Sequence, residues 1–188
     1  EILEECNSFN GRGILTSITH KTGSDRLAEA ASLLSLADND VVVNLQGDEP
    51  FVDFNDINNV ADLLKDRAVD MGTLYADLKI EDVMNPNVVK IWTKNNGRVT
   101  DFSRNEEKTS DKELTRSQHL GIYAYSVKFL KEFINWKQTE NEKMESLEQL
   151  RALEGGKNIY AKKSVAKIHL GIDTPEDLHL AHKLIEND

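Results

Sequence analysis

VVVNLQGDEP, residues 41–50, is a hydrophobic run that ends abruptly on a glycine, two adjacent carboxylates and a proline. Three β-branched valines in a row favour a strand buried on both faces, which is typical of the centre of a parallel sheet. Gly47 permits a tight turn, and Pro50 ends the ladder and keeps Glu49 extended. Asp48 is therefore expected at the carboxyl end of a strand, where open α/β sheets bind their ligands. Taken alone, these residues are also typical of an ordinary surface turn.

Composition indicates a globular protein of one domain, residues 1–188. The formal net charge of −10 argues against a nucleic-acid partner, because phosphate binding requires a surplus of lysine and arginine. Cys6 is the only cysteine, which excludes an intrachain disulfide and a cysteine-based zinc cluster. We find no apolar run of about 18 residues and no signal peptide, so we expect a cytoplasmic protein with no membrane partner.

The hydrophobic pattern predicts strands that alternate with helices. Strands are expected at residues 14–18, 41–45, 71–78, 88–93, 98–102 and 120–126. Helices are expected after the capping residues Thr22, Asp53 and Thr174, and at residues 127–136 and 144–154. Asn96-Gly97 is a strong hairpin signal, and the polar residues 105–113 predict a surface loop. We therefore interpret the chain as an α/β domain with a strand-rich insertion at residues 71–125.

Two of the expected helices carry predictions about packing. In the helix at residues 144–154, Glu145, Glu148 and Gln149 share one side, and the apolar side consists of Met144, Leu147 and Leu150. The buried stripe of the last helix consists of Leu178, Ala181, His182 and Ile185.

Two carboxylates, Asp48 and Asp173, are each expected in a loop that leads from a strand into a helix. Mg²⁺ is commonly bound by one or two carboxylates together with water and phosphate oxygens. For Asp173 alone, a role at the start of the following helix is the simpler interpretation. Together, the two acids predict a magnesium site.

Several other polar side chains are ambiguous when they are taken one by one. His119 stands at the entrance of a strand that carries Tyr123, although such tyrosines usually pack in a core. Ser24 and Arg26 lie in the first turn of a helix, where backbone amides can approach an anion. Arg26 can equally pair with a surface acid, and Arg104, at the end of a hairpin strand, is ambiguous in the same way.

Seven segments become informative when they are taken in order along the chain: TGSDRLAEA, VVVNLQGDEP, NPNVVKIW, FSR, HLGIYAYSVKFL, LEQLRALEGG and GIDTPEDL. In this order they closely resemble the CMP-Kdo synthetases, which are the 3-deoxy-manno-octulosonate cytidylyltransferases. The resemblance covers nearly the whole chain. LQGDEP followed by HLGIYAY, LEQLR and GIDTPEDL is specific to that family among the sugar nucleotidyltransferases.

The resemblance implies a nucleotide-diphospho-sugar transferase-like (Rossmann-like) mixed sheet, Mg²⁺ as cofactor and a homodimer built partly from residues 71–125. It implies that CTP and a 2-keto-3-deoxy sugar acid, Kdo, react to CMP-Kdo and pyrophosphate for lipopolysaccharide synthesis. Asp48 and Asp173 match the catalytic, magnesium-binding acids of the family, and Ser24 and Arg26 match its nucleotide-side motif. The positions that line its sugar-acid pocket are matched by Gln46, Arg104, His119, Tyr123, Glu148 and Gln149.

Two departures from the family pattern lead to further expectations. The family begins with a strand and a basic ARxxSxRLPGKxL-like loop that this sequence does not contain. We therefore expect an N-terminally incomplete enzyme that makes no CMP-sugar by itself. Residues 105–113 also replace an IPW/Y-R-like stretch, which leaves an amino-substituted Kdo or another sugar acid open as the substrate. A third interpretation is a non-catalytic protein that binds a nucleotide-sugar or dimerises with an intact synthetase.

Overall fold

The computed structural model of the chain describes residues 1–66, 68–105, 113–172 and 174–186, along which helices and strands alternate. The elements in chain order are α1 (Ile2–Ser8), α2 (Gly23–Leu33), β1 (Val41–Asn44), α3 (Phe54–Asp62), β2 (Met71–Ala76), β3 (Lys90–Thr93), β4 (Val99–Ser103), β5 (Thr115–Ser126), α4 (Val127–Phe133), α5 (Glu140–Glu145), α6 (Gln149–Glu154), β6 (Ile159–Lys163) and α7 (Pro175–Glu186). This alternation confirms the α/β class.

The six strands of the described residues form one mixed sheet in the order β4-β3-β5-β2-β6, with β1 also paired to β5. The long strand β5 is central, because β1, β2 and β3 all pair with it in antiparallel fashion. β6 runs parallel to β2. The strands expected in the insertion at residues 71–125 therefore belong to the same sheet as β1 and β6.

Strand β1 is not the central parallel strand that its valines predicted. It pairs in antiparallel fashion with β5, and β5 is its only neighbour in the described part of the chain. Val41 is 42% exposed, and the other residues of β1 are partly exposed. Valines indicate a strand but not its position in a sheet, because β-propensity measures the fit of a side chain to a pleated surface. The strand nevertheless ends ahead of Asp48, as expected.

Asn96-Gly97 lies in the turn between β3 and β4, as predicted. The Gly97 amide donates to the Lys94 carbonyl at 2.8 Å, and the Lys94 amide donates to the Arg98 carbonyl at 2.9 Å. Gly97 has a φ of 83°, a left-handed conformation that glycine adopts without strain. Its carbonyl also accepts from the Ala161 amide of β6 at 2.8 Å, which ties the hairpin turn to the opposite end of the strand order.

Two apolar clusters hold the helices on the sheet. The larger cluster joins α4 and α6 to the strands, and its side chains include Phe102, Phe129, Leu130, Phe133, Leu150 and Ile159. The smaller cluster places α3 against β2 and β5, and its buried residues are Val60, Leu74, Ile122 and Ala124. Burial of each large apolar side chain contributes about 1.5–3 kcal/mol. These contacts fix the strand ends and helix starts from which the candidate site is built.

The three capped helix starts are confirmed. The side chains of Thr22 and Asp53 each accept a hydrogen bond from an amide in the first turn of their helix. Thr174 Oγ1 accepts from the Asp177 amide at 3.1 Å, and the Asp177 carboxylate accepts in return from the Thr174 amide at 2.9 Å. This reciprocal pair is a capping box, which fixes where α7 begins.

The single helix predicted at residues 144–154 is wrong, because the chain breaks into α5 and α6. Ser146 ends α5 with a left-handed φ of 54°. Glu145, immediately before it, is buried and accepts from Ser103 Oγ at 3.0 Å. Met144 is 75% exposed instead of buried. A long-range contact to a buried carboxylate therefore overrides the local helical pattern.

Other sequence predictions also need correction. Residues 14–18 form no strand, and β6 was not predicted. In α7, Ala181 is the only buried residue, so the expected stripe is mostly exposed. Most of the loop predicted at residues 105–113 lies outside the described residues. Within the described residues, no helix is both long enough and apolar enough to cross a membrane.

Candidate functional site

A cavity of about 840 Å³ opens between the end of β1, the middle of β5, the first turn of α2 and the start of α6. Most of the site residues predicted from the sequence line it, although they come from distant segments of the chain. They are Ser24, Gln46, Asp48, Arg104, His119, Tyr123, Glu148 and Gln149. The structure thus brings these side chains together, while their individual roles stay predictions.

The loop after β1 presents the Asp48 side chain at the mouth of the cavity. Asp48 is exposed, and its backbone carbonyl accepts from the Ile172 amide at 2.8 Å. Asp173 follows Ile172 in the sequence and lies outside the described residues, so the pairing of Asp48 with Asp173 stays a prediction. The described chain nevertheless brings Asp48 to the segment that leads into Asp173.

Asp56 holds the start of that segment in place. This α3 side chain is 1% exposed, and its carboxylate accepts from the Val165 amide at 2.9 Å and from the Ala166 amide at 3.2 Å. It also accepts from the Ser164 hydroxyl. A buried carboxylate with several donors fixes the backbone firmly. Asp56 therefore anchors the chain between β6 and Ile172.

His119 lies on β5 at the inner wall of the cavity and is 8% exposed. Its Nε2 lies 3.0 Å from Thr73 Oγ1 on β2. Its ring packs edge-on against Phe102 and in a tilted arrangement against Tyr123, with centroids 5.1 and 5.4 Å away. Burial lowers the pKa of His119 to about 3, because the charged imidazolium is poorly solvated there. His119 is therefore neutral near pH 7.

Two tyrosines of β5 line the same wall. Burial is the main cause that raises the pKa of both Tyr123 and Tyr125, so both phenols are protonated. Tyr125 was not predicted as a site residue, yet its buried hydroxyl has no hydrogen-bond partner within the described residues. Asn44 and Ser24 lie near this hydroxyl and act to lower its pKa, against the larger rise that burial causes, although neither meets the geometry of a hydrogen bond to it. Its alternation with Tyr123 along a strand was the signal that identified this face.

Glu148 and Gln149 at the start of α6 lie against the first turn of α2. Ser24 Oγ donates to Glu148 Oε2 at 2.7 Å, across 124 residues of sequence. Gln149 is 3% exposed, and its Nε2 is a buried donor without a partner among the described residues. A buried donor left unpaired costs about 1–3 kcal/mol, so such groups in a cavity are candidates for binding a ligand.

Arg104 lines the cavity and is held rigidly by its neighbours. Its Nε donates to the Glu145 carbonyl at 2.8 Å, and its Nη1 donates to the Pro86 carbonyl at 3.1 Å. Its own carbonyl accepts from the fully buried Lys90 Nζ at 3.1 Å. Arg104 thus supplies a fixed positive charge to the cavity wall.

Arg26 is not brought to this cavity. Its guanidinium donates to Thr16 Oγ1 at 2.5 Å and approaches the Ser17 carbonyl at 3.4 Å. The position of Arg26 in the first turn of α2 was predicted correctly. Its side chain, however, contacts the preceding segment through a hydroxyl and a carbonyl group, and not through the surface acid that the alternative interpretation named.

Sequence patterns missed several residues of the site. Asn44, Glu49 and His169 line the cavity in addition to Tyr125, and Thr73 supports His119 from the neighbouring strand. Asn44 and Glu49 flank Asp48 in the sequence, which was a usable signal. Thr73 had none, because its role depends on a strand pairing 46 residues away.

Whether this cavity can bind a magnesium ion depends on the carboxylates that line it. Within the described residues, no group of three or more histidine, cysteine, aspartate or glutamate side chains could hold a metal on its own. Mg²⁺ does not need such a group, since one or two carboxylates with water and substrate phosphates are sufficient. The exposed Asp48 carboxylate at the cavity mouth has the donor chemistry for this mode of binding.

Comparisons with known proteins agree over nearly the whole chain. The family described as cytidylyltransferase matches residues 1–163. A protein named 3-deoxy-manno-octulosonate cytidylyltransferase 2, from Actinobacillus pleuropneumoniae serotype 5b, is 39% identical over all of this chain and 79% of its own length. The 3-deoxy-manno-octulosonate cytidylyltransferase of Idiomarina loihiensis is 41% identical over 97% of this chain and 78% of its own.

A solved structure gives the same result at the level of the fold. It is a CMP:2-keto-3-deoxy-manno-octonic acid synthetase in complex with CTP, and it superposes with a TM-score of 0.87. The two sequences are 29% identical, and the match covers 99% of this chain and 77% of that one. The described fold is thus similar to that of a synthetase solved with CTP.

Proposed function

Since this chain belongs to the cytidylyltransferase family, and within it to the 3-deoxy-manno-octulosonate cytidylyltransferases, we propose that it forms CMP-Kdo and pyrophosphate from CTP and Kdo, in contrast to the expectation from its missing basic loop that it makes no CMP-sugar by itself. One observation in the structure carries this proposal. Ser24, which the sequence assigns to the nucleotide side, donates a 2.7 Å hydrogen bond to Glu148, which it assigns to the sugar side. One cavity therefore contains the candidate contacts for both substrates.

The reaction needs positioning more than it needs a protein nucleophile. A hydroxyl oxygen of the sugar acid bonds to the α-phosphorus of CTP, the bond from that phosphorus to the bridging oxygen breaks, and pyrophosphate leaves with its electron pair. The hydroxyl proton passes to solvent. Residues that hold two reactants in line can supply a large part of such a rate enhancement. His119, Glu148 and Gln149 are placed to orient the sugar acid.

We propose Mg²⁺ as the cofactor, held by Asp48 and by Asp173 beside Ile172. The ion would neutralise phosphate charge and polarise the α-phosphate. Asp48 supplies an exposed oxygen donor at the mouth of the cavity, next to the chain that leads into Asp173. Isothermal titration of the CTP-bound protein with Mg²⁺, compared with Asp48→Asn, tests this assignment. Equal magnesium affinity in the two proteins would contradict it.

A homodimer through residues 71–125 is the proposed assembly. Ile80 is 91% exposed and Met84 is 72% exposed, and both lie in this segment. Exposed apolar side chains of this size are typical of interaction surfaces when they lie together. Sedimentation velocity at micromolar concentration should show a dimer that Ile80→Lys weakens, and a monomer in the parent protein would exclude this assembly.

The cellular setting follows from the proposed product. We propose that CMP-Kdo made by this protein serves lipopolysaccharide synthesis, and that the protein works in the cytoplasm. Cell fractionation with an antibody against the chain tests the location, and recovery with the membrane fraction after a salt wash would contradict it.

Two other functions follow from specific features of the chain. The sequence of the segment after Arg104 leaves an amino-substituted Kdo or another sugar acid open as the substrate. The charges of the cavity favour a binding protein without turnover, because Arg104 is its only lysine or arginine among the described lining residues, whereas Asp48, Glu49, Glu148 and Asp177 are acids. A triphosphate usually requires more positive charge than this.

An assay of pyrophosphate release with CTP, Mg²⁺ and a panel of sugar acids separates the three functions. Turnover with Kdo supports the first, and turnover with the amino sugar alone supports the second. Binding of CTP or CMP-Kdo by calorimetry without any turnover supports the third.

A further inference from the structure

The Thr73 hydroxyl lies between two strands and directly behind His119. Thr73 is fully buried on β2, at an irregularity in its pairing with β5. Its Oγ1 lies 2.8 Å from the Ile122 carbonyl oxygen and 3.3 Å from the Leu120 carbonyl oxygen. The same oxygen lies 3.0 Å from His119 Nε2.

Counting protons assigns the donors in this cluster. A threonine hydroxyl has one proton, and carbonyl oxygens can only accept. Donation to Ile122, the shorter of the two carbonyl contacts, leaves the lone pairs of Oγ1 to face the imidazole. His119 Nε2 must then donate to Thr73, so the neutral ring carries its proton on Nε2 and none on Nδ1. If the Thr73 hydroxyl instead donated to His119 Nε2, the Ile122 carbonyl would lose this donor.

The other ring nitrogen is free to meet a ligand. Within the described residues, His119 Nδ1 has no hydrogen-bond partner, and it is not among the fully buried polar atoms that lack one. His119 also lines the cavity. The ring packs against Phe102 and Tyr123 in addition to its contact with Thr73. Nδ1 is therefore an acceptor without a partner among the described residues, on a side chain that lines the cavity.

We propose that Thr73 is a positioning residue: it fixes the Nε2–H tautomer of His119, so that Nδ1 accepts a hydrogen bond from a hydroxyl group of the sugar acid. This inference rests on the proposed function for the identity of the ligand, but not for the tautomer. It also assigns the direction of the hydrogen bond between His119 and the sugar acid, because the lone pair on Nδ1 attracts a hydroxyl donor and repels a carboxylate. His119 thus selects a hydroxyl and does not bind the carboxylate of the substrate.

The tautomer can be measured on the unliganded protein. In ¹⁵N-histidine-labelled protein, the signals of His119 are assigned by their loss in His119→Gln. We expect Nε2 to show the shift of a protonated nitrogen and Nδ1 that of an unprotonated one, unchanged from about pH 5 to about pH 8. In Thr73→Val, the two nitrogens should show averaged shifts, and Thr73→Ser should restore the original pattern. A protonated Nδ1 in the parent protein would overturn the proposal.

Kinetics test the effect on the substrate. Thr73→Val should raise the KM for the sugar acid about 5–10-fold and change kcat little, since one hydrogen bond in the ground state is weakened. Thr73→Ser should restore KM. Thr93→Val is the matched control, because Thr93 is a buried threonine of the same sheet that does not line the cavity. It should leave KM unchanged.

A double-mutant cycle separates positioning from general loss of stability. If Thr73 acts through the ring, Thr73→Val should change KM by less than about twofold once His119 is replaced by glutamine. Independent effects of the two substitutions would overturn the positioning role. Absence of turnover in the parent protein would count against the proposed function, whereas the nitrogen shifts still decide the tautomer.

Discussion

The cavity has two sides that differ in how firmly the protein holds them. The wall proposed to bind the sugar acid, called the sugar-side wall, consists of His119, Tyr123, Glu148 and Gln149, and it is largely buried and supported by aromatic packing and hydrogen bonds. The acid loop, residues 45–50, is exposed for most of its length, and Asp48 reaches solvent.

This difference predicts that substrate binding depends mainly on the sugar-side wall and that the chemical step depends mainly on the acid loop. A wall that is already ordered binds its ligand without a large cost in conformational entropy. Substitution of one of its side chains should therefore appear mainly as a higher KM. An exposed carboxylate gains little from its own protein, so its contribution depends on charges that arrive with the substrates. Its loss should appear mainly in kcat.

The largest effect is expected in the acid loop. Asp48→Asn should lower kcat about 10²–10³-fold, since the proposed magnesium ligand at the reacting phosphate is lost. The free energy of unfolding should change by less than about 0.5 kcal/mol, because Asp48 is exposed. The sequence predicts the same loss of kcat for Asp173→Asn. Steady-state kinetics and urea unfolding measure the two quantities.

Asp53→Asn is the control for this substitution. It makes the same change of charge five residues away, and asparagine replaces aspartate well as the N-cap of α3. Its kcat should equal that of the parent protein. If Asp48→Asn and Asp53→Asn behave alike, the acid loop takes no part in the chemistry and the comparison fails.

A smaller effect is expected at Gln149 in the sugar-side wall. Gln149→Met should raise the KM for the sugar acid about 10–100-fold, because a donor to the ligand is lost. It should also stabilise the unliganded protein by about 1 kcal/mol, since a buried donor without a partner is removed. Gln138→Met, a glutamine outside the cavity, should change neither KM nor kcat. A loss of stability in Gln149→Met would show that Nε2 is already paired.

The sequence predicted what local chemistry decides and missed what distant contacts decide. The caps at Thr22, Asp53 and Thr174 and the turn at Gly97 depend on a few neighbouring residues, and all were found. The helix that the apolar pattern supported ends at Ser146. Glu145, the residue before it, accepts a hydrogen bond from Ser103 on strand β4.

The candidate site shows the same division. Most of the predicted site residues were recognisable from ordered motifs, which include VVVNLQGDEP around Asp48 and the strand that carries His119, although Asn44 and Glu49 in the first motif were missed. Thr73 was not recognisable, because a threonine in a strand is ordinary until its partner is known. The exposed stripe of α7 was missed for a related reason, since helical periodicity identifies an apolar face but not what covers it.

A third prediction tests how deeply the sugar-side wall is buried. The pKa of His119 is about 3 in the folded protein and about 6.5 when unfolded. Between these values the unfolded chain binds a proton that the folded protein does not, so stability falls as the pH falls. Below about pH 6.5, His119 should contribute a loss of about 1.4 kcal/mol per pH unit. Urea unfolding at about pH 7, 6 and 5 measures it.

His119→Gln isolates this contribution. His169 also has a pKa lowered by burial and adds a slope of the same sign, but it is present in both proteins. The free energy of unfolding of the parent protein should therefore fall relative to that of His119→Gln as the pH falls. Parallel pH profiles would mean that His119 takes up its proton at the same pH in the folded protein as in the unfolded chain, so that burial does not lower its pKa.

The smallest effect is expected at Ser24, where α2 meets the sugar-side wall. Ser24 Oγ donates to Glu148 at 2.7 Å, so Ser24→Ala frees a carboxylate of the wall and removes a hydroxyl from the nucleotide side. Loss of one hydrogen bond predicts about a fivefold rise in KM for CTP and a similar rise for the sugar acid. Ser32→Ala in the same helix removes a hydroxyl whose partner among the described residues is the Ala28 carbonyl, and it should change neither KM. A rise for one substrate alone would assign Ser24 to that side of the cavity and show that the contact with Glu148 does not couple the two substrates.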